Sequence, residues 1–178
     1  MRVLVTGGTG YIGATAVEML LTQAFEISIL DDCSMGHADT VPAGVNFVQG
    51  SLLEAGQVAQ ALTGCEAVMH FAGKSLVGES VEKPDLYQSV NVDGTRILLD
   101  EMRKQSITKI VFSSSAATYG EPKVVPILET SETNPTNPYG ATKLAIDHMI
   151  TEEAAKHGIS AASLRYFNVA GALKAQRG

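Results

Sequence analysis

The first twenty residues restrict the fold more than any other part of this chain. Met1–Val5 is a short apolar run, and Thr6-Gly7-Gly8-Thr9-Gly10-Tyr11-Ile12-Gly13 follows without a break. Beyond it, Ile12, Thr15, Ala16, Met19 and Leu20 recur on one face of an amphipathic segment. The pattern predicts a strand at Arg2–Val5, a glycine-rich turn, and a helix over Tyr11–Gln23. Glycine at such a junction permits a tight turn, leaves room for a pyrophosphate against the backbone, and lets helix and strand pack closely. The helix start adds unpaired N–H groups and the positive end of its dipole, both suited to phosphate oxygens. Gly7, Gly10, Tyr11, Ile12 and Gly13 are therefore candidates to cradle the phosphates of a dinucleotide.

The next stretch says which dinucleotide. Glu26–Leu30 reads as a second strand and ends in Asp31-Asp32. Asp31 lies at the distance from the glycines where a carboxylate can accept hydrogen bonds from the adenine ribose. It would repel a 2′-phosphate, Asp32 adds to that repulsion, and no Arg or Lys lies nearby to reverse it. NAD is expected in preference to NADP.

Strand and helix patterns then alternate to the end of the chain. Residues 33–44 read as a loop, Val45–Val48 as a third strand, and Glu54–Leu62 as a short helix with Gly64 suited to its C-terminal cap. Ala67–His70 is a fourth strand leading into Phe71–Ser75. Pro84–Gln105 reads as one long helix with Val90, Ile97, Leu98 and Met102 facing inward, although Gly94 weakens its middle. Lys109–Phe112 is a fifth strand followed by Ser113-Ser114-Ser115, and 116–136 is a proline-containing loop. Pro138 opens a helix to about His157 with Gly158 after it, and Ser160–Arg165 is a sixth strand. Such alternation predicts an α/β fold: one doubly wound parallel sheet with right-handed crossovers, in the order 3-2-1-4-5-6. The candidate residues all fall at the carboxyl ends of strands, where ligands of such sheets gather.

Charge and cysteine content narrow the partners. The 178 residues carry a net charge of −6, which argues against nucleic acid or an anionic membrane as the main partner. No segment approaches the length of a membrane span. Cys33 and Cys65 are expected as unpaired thiols in a reducing cytosol, which points to a cytoplasmic protein. His37, His70, His148 and His157 have no metal-ligand spacing, so no metal site is expected. His70, at the end of a core strand, is expected to be packed and hydrogen-bonded.

Two further groups can carry chemistry. Tyr139 and Lys143 are four apart on a predicted helix and so face the same way. Tyrosine ionises near pH 10, but a nearby ammonium and a positive nicotinamide ring favour the phenolate. Ser113–Ser115 leaves strand five where a hydroxyl can hold a substrate hydroxyl, although serines also serve as ordinary turn residues there.

At these residues the chain resembles the extended short-chain dehydrogenase/reductase superfamily, and within it the nucleotide-sugar 4-epimerases. The resemblance covers essentially the whole chain. It rests on Thr6–Gly13, His70-Phe-Ala-Gly73, Val77-Gly-Glu-Ser80, Asn91-Val-Asp-Gly-Thr95, Phe112-Ser-Ser-Ser-Ala116, Tyr119-Gly120, Asn137-Pro-Tyr-Gly140 and Arg165-Tyr-Phe-Asn168. It implies a Rossmann domain in which Tyr139 is the acid/base, Lys143 its partner and Ser115 the third member of a triad. Phe71, Ala72, Gly73 and Asn91 would line the cofactor, and Ser51, Leu52, Ser113 and Tyr166 belong to the same set. Ser115 and Asn168 would meet the substrate. The implied reaction is epimerisation at C4 of a UDP-hexose: the C4 hydride goes to tightly held NAD, the 4-keto sugar turns over, and hydride returns to its other face. The related 4,6-dehydratases carry Thr-Asp-Glu where this chain has Ser115-Ala116-Ala117, which offers no carboxyl group for an elimination. The resemblance also implies a homodimer through the helices at 84–105 and 138–157.

Three departures qualify the match. Members of the superfamily continue well beyond Asn168, so the chain is expected to be the cofactor-binding portion, residues 1–178, of a longer protein whose substrate domain it lacks. The usual Gly-Asp after strand three is Gly50-Ser51 here. The lysine often found near the pyrophosphate is replaced by Ser75, with Lys74 one place earlier. Two other readings stay open: a different nucleotide-sugar epimerase or reductase on the same scaffold, and a dinucleotide-binding module without turnover.

Overall fold

The computed structural model describes residues 1–172. Residues 173–178 lie outside the described residues. Six parallel strands form one sheet in the order β3-β2-β1-β4-β5-β6. They are β1 (Arg2–Thr6), β2 (Glu26–Asp31), β3 (Asn46–Gln49), β4 (Ala67–His70), β5 (Lys109–Phe112) and β6 (Ser160–Ser163). β1 lies at the centre and pairs with β2 and β4, in register Thr6 to Leu30 and Thr6 to His70. That register brings the glycine turn, Asp31 and Phe71–Gly73 to one edge of the sheet.

The sheet is buried on both faces around β1, which explains its near-continuous apolar reading. Val3 and Val5 join Val17, Ile27 and Ile29 beneath α1 (Tyr11–Thr22). Leu4 and Leu30 point to the other face. There they meet Val58 and Leu62 of α2 (Ala55–Leu62) and, further along the same face, Phe112, Leu98, Met102, Ile146 and Ile150. Each fully buried aliphatic side chain contributes about 2 kcal/mol relative to exposure, so this second cluster is the main source of stability.

The predicted helix over 84–105 is built differently from expectation. A separate helix, α3 (Val77–Glu82), precedes it in a stretch to which the sequence reading assigned no element. The long helix then runs as α4 (Pro84–Tyr87), a π-helical segment over Gln88–Asp93, and α5 (Gly94–Lys104). The wider π turn shifts the helical phase. Leu98, Leu99 and Met102 are fully buried as a result, and Val90 and Ile97 only partly. Gly94 has a packing reason: a Cβ there would lie 2.9 Å from Leu52 Cβ. α6 (Pro138–His157) has the expected bounds, with Asn137 as its N-cap and Gly158 at φ 68° closing it. A short 3₁₀ turn, Ala116–Tyr119, follows β5 directly. β6 is shorter than expected and stays exposed along all four residues. An apolar hollow of about 390 Å³ runs beside it across the sheet, between Phe25, Met69, Val111 and Ala161.

Candidate functional site

A cavity of about 660 Å³ opens along the carboxyl edge of the sheet. One end is the glycine turn. Helix α1 begins at Gly10 with no side-chain cap, so the N–H groups of its first turn are left for the cavity that Gly10, Tyr11, Ile12 and Gly13 line. The turn has no spare volume. A Cβ on Gly13 would lie 2.0 Å from Gly7 O, and one on Gly7, at φ +70°, would lie 2.6 Å from Ala72 N. Backbone packed this tightly, with free donors and no acidic residue in the first turn of α1, fits an anionic pyrophosphate.

Asp31 closes β2 beside this turn. Its Oδ2 accepts the Thr9 N–H at 3.0 Å and its Oδ1 the Cys33 N–H at 2.8 Å. The carboxylate thus braces the turn and keeps further lone pairs for a ribose; Asp31 and Asp32 both line the cavity. Ser51 and Leu52 line it as well. Ser51 is largely committed to its own turn: its N–H goes to Gln57 Oε1 and its hydroxyl accepts the Leu53 N–H.

Phe71, Ala72, Gly73, Lys74 and Ser75 form the floor after β4. Asn91 is not part of the cavity wall. It is buried one layer back, accepting the Lys74 N–H on Oδ1 at 2.7 Å and donating from Nδ2 to the Lys74 carbonyl at 3.0 Å. The π segment that disturbs the helix phase is the element that carries it.

A directed chain of hydrogen bonds sits beneath the floor. Thr95 Oγ1 donates to the Asn91 carbonyl, so its contact with His70 Nε2 at 2.9 Å leaves it only the acceptor role. His70 therefore carries its proton on Nε2, and Nδ1 accepts from Thr6 Oγ1 at 2.7 Å. Thr6 in turn accepts the Ala72 N–H. Burial and the nearby Lys143 charge push the His70 pKa down to about 3, so the ring is neutral. The packed, hydrogen-bonded histidine expected from sequence ties the ends of β1 and β4 to the long helix.

The other end of the cavity holds Ser113, Ser115, Tyr139, Lys143, Tyr166 and Asn168. The stretch after β5, the start of α6 and the stretch after β6 deliver them to one place. Lys143 is almost fully buried; its Nζ donates to the Ser113 carbonyl at 2.8 Å, 4.8 Å above the Phe112 ring and 5.8 Å from the Tyr139 ring. Burial lowers its pKa to about 8, opposed by the Asp147 carboxylate one turn on. At pH 7 the ammonium is kept. The Tyr139 phenol is pushed up, first by burial and then by Tyr166, and the Ser115 hydroxyl pulls it back through a hydrogen bond. The lowering expected from Lys143 is not what sets this phenol in the protein alone; burial, which costs the phenolate its hydration, prevails. Ser115 also accepts the Ala117 N–H and so caps the 3₁₀ turn. Ser113 Oγ is hydrogen-bonded to the Tyr166 hydroxyl.

Sequence reasoning missed the supports behind this end. Asp147 Oδ2 accepts from Ser114 Oγ at 3.1 Å and Arg165 Nε at 2.8 Å, and Arg165 Nη1 donates to the Tyr119 hydroxyl. Asp147 is buried and its Oδ1 has no partner. The one available signal was spacing, since Asp147 follows Lys143 by four on the same helix face. Among the described residues no group of three or more His, Cys, Asp or Glu side chains is placed to hold a metal.

Fold and site together define a dinucleotide-binding α/β domain of the short-chain dehydrogenase/reductase type, with its cofactor cleft and a Ser-Tyr-Lys cluster in one cavity. Residues 3–178 match the NAD dependent epimerase/dehydratase family, and the chain belongs to that family. It is similar to the UDP-glucose 4-epimerase of Corynebacterium glutamicum, 51% identical over 97% of this chain and 52% of the relative. The Streptomyces lividans UDP-glucose 4-epimerase is 49% identical over 99% of this chain and 54% of the relative. The crystal structure of the Brucella ovis UDP-glucose 4-epimerase in complex with NAD superposes with a TM-score of 0.93 at 42% identity, covering 96% of this chain and 53% of that one. The chain spans about half the length of these relatives.

Proposed function

We propose that this chain is the NAD-binding and acid/base portion of a UDP-hexose 4-epimerase that interconverts UDP-galactose and UDP-glucose. The observation that carries the reading is convergence. Ser115, Tyr139 and Lys143 meet at one end of a single cavity whose other end is an uncapped helix start and a carboxylate at the ribose distance. Gly7–Gly13 would hold the pyrophosphate, Asp31 the adenine ribose, and Phe71–Gly73 and Tyr166 the nicotinamide half. When bound, NAD supplies a hydride acceptor and a positively charged ring. Tyr139 would take the proton of the sugar 4-hydroxyl, directly or through Ser115, and return it. Lys143, charged at neutral pH, would hold the nicotinamide ribose and favour the phenolate. Asn168, exposed at the cavity rim, would meet the nucleotide-sugar.

The remaining walls of the sugar pocket are assigned to a substrate domain of the kind the relatives' greater length allows. The apolar hollow beside β6 supports further protein over this sheet face, since parallel sheets are covered on both sides. We place the protein in the cytoplasm, in galactose metabolism, as a homodimer. Ile97, Ala145 and Met149 support dimerisation through the two long helices: they pack on the core yet stay partly exposed. Sedimentation of the Met149→Glu variant as a monomer is the expected result.

Turnover of UDP-galactose by wild type and Tyr139→Phe, with NAD supplied, tests the main reading. The phenylalanine variant should lose about a thousandfold or more in kcat, within the range of a deleted general acid/base. Near-normal turnover would remove Tyr139 from the mechanism. One observation favours a second reading, a dinucleotide-binding module without turnover: the glycine turn and the Asp31 brace are formed with no contribution from the Ser115–Tyr139–Lys143 end of the cavity. NAD binding with no product from any UDP-, GDP- or dTDP-sugar would select it.

A further inference from the structure

The start of α6 satisfies its orphan donors locally, with one exception. Pro138 has no N–H, the Gly140 N–H goes to Asn137 Oδ1 at 2.8 Å, and the Ala141 N–H goes to the Asn137 carbonyl at 3.0 Å. The donor left over is the amide of Tyr139. It is taken by a residue 59 positions away, Ser80, whose Oγ accepts it at 3.2 Å. Ser80 is fully buried, and its own proton goes to the Val77 carbonyl at 2.6 Å, which leaves its lone pairs for the Tyr139 amide. The Tyr139 carbonyl is held too: Thr142 Oγ1 donates to it at 2.8 Å and accepts from Asn91 Nδ2 at 3.1 Å. The short helix that carries Ser80 is itself anchored. The hydroxyl of buried Tyr87 accepts the Leu76 N–H at 2.9 Å and donates to the Leu76 carbonyl at 2.8 Å.

We infer that Ser80 is a positioning residue for the acid/base tyrosine, its hydroxyl fixing the Tyr139 main chain so that the phenol faces Ser115 and the cavity. The inference rests on the role proposed above for Tyr139. It gives a purpose to the Val77-Gly-Glu-Ser80 motif, which no part of the mechanism otherwise uses. α3 also forms cavity wall through Val77 and Glu79, with its N-cap Leu76 beside them. The tyrosine and the cavity wall are therefore referenced to the same short helix, and a shift of α3 moves both together.

Ser80→Ala removes one oxygen without adding volume. The groups facing the Tyr139 phenol are the Ser115 hydroxyl, the Lys143 ammonium and Tyr166, with Tyr87 on the α4 side, and none of them is changed by it. The matched control is Ser28→Ala. Ser28 is equally buried, donates to the Ala61 carbonyl at 2.7 Å and accepts from Asn46 Nδ2 at 2.9 Å, far from the site. Two readouts are compared in the NAD-bound protein. The first is the tyrosinate titration followed by near-ultraviolet absorbance, with the Tyr139→Phe spectrum subtracted. The second is kcat and KM on UDP-galactose. In Ser80→Ala the Tyr139 phenol should titrate at higher pH as it shifts away from the Ser115 hydroxyl, and kcat should fall about ten- to a hundredfold with KM within about twofold. Ser28→Ala should match wild type in both. If Ser80→Ala titrates and turns over like Ser28→Ala, Ser80 is merely structural and the inference is overturned. Should Ser80→Ala fail to fold, Ser80→Cys, similar in size and a weak acceptor, is read against the same two outcomes. Absence of turnover in wild type would reject the proposed activity alone, because the titration still decides Ser80.

Discussion

Acid should unfold this protein largely through His70. The ring is neutral, buried and bonded on both nitrogens, with Thr6 donating to Nδ1 and Nε2 donating to Thr95. A second proton finds an acceptor only if the Thr6 hydroxyl turns its own proton away from Nδ1. It would replace the Nδ1 acceptor with a donor facing the Thr6 hydroxyl, and the charge would sit on the Phe112 ring stack at 5.5 Å, near Lys143. The folded pKa is about 3 against an ordinary 6.5. Between those values the unfolded chain binds a proton that the folded chain does not. Stability is therefore complete above pH 6.5 and declines as pH falls toward 3, by about 1.4 kcal/mol per pH unit and about 5 kcal/mol in all. That is comparable with the whole stability of many domains, about 5–15 kcal/mol. The assay is urea unfolding at pH 7.0 and at about 4.5, for wild type and for His70→Gln, which cannot take the charge. The variant should start less stable at neutral pH and lose about 3 kcal/mol less than wild type on acidification. Parallel losses in the two proteins would refute the neutral, doubly bonded histidine.

Two other perturbations separate local causes. Gly10→Ala should fold normally, because its Cβ meets nothing closer than 3.5 Å, yet it should weaken NAD binding about tenfold or more by standing between the turn and the pyrophosphate; unchanged affinity in calorimetry would show that the phosphate does not lie there. Arg165→Met should cost about 3–5 kcal/mol in urea unfolding, since it leaves the buried Asp147 carboxylate with Ser114 alone. The double variant Arg165→Met, Asp147→Leu should recover part of that loss, and no recovery would mean that the cost is packing and not an unpaired charge.

Local patterns carried much of this. The apolar β1 run followed by Gly7, Gly10 and Gly13 specified strand, turn and helix, and at Gly13 no residue with a Cβ fits, since that atom would lie 2.0 Å from the Gly7 carbonyl oxygen. The bounds of α6 were legible because Asn137, Pro138 and Gly158 each act within one turn of the helix end. Strand alternation led to the order 3-2-1-4-5-6, which the sheet has. The long helix was misread at its centre. A π turn leaves no mark in a period-3.6 pattern except to shift it, so the inward face assigned to Val90 and Ile97 was displaced. α3 was missed altogether, since six residues are too few for a period to show.

The sequence by itself determined which chemical groups this protein has and on which strand ends they stand: the glycine turn, Asp31, Ser113–Ser115, and the Tyr139–Lys143 pair. These depend on neighbours within a few positions and so survive as motifs. Only the tertiary structure decided how the groups are held. The Ser80 hydroxyl on the Tyr139 amide, Asn91 behind Lys74, His70 between Thr6 and Thr95, and Asp147 between Ser114 and Arg165 join residues up to 66 positions apart along these chains of bonds. So does the balance of charge, in which burial holds the Lys143 pKa near 8 and raises that of Tyr139. Desolvation is a property of everything packed around a side chain, and no spacing in the sequence reports it.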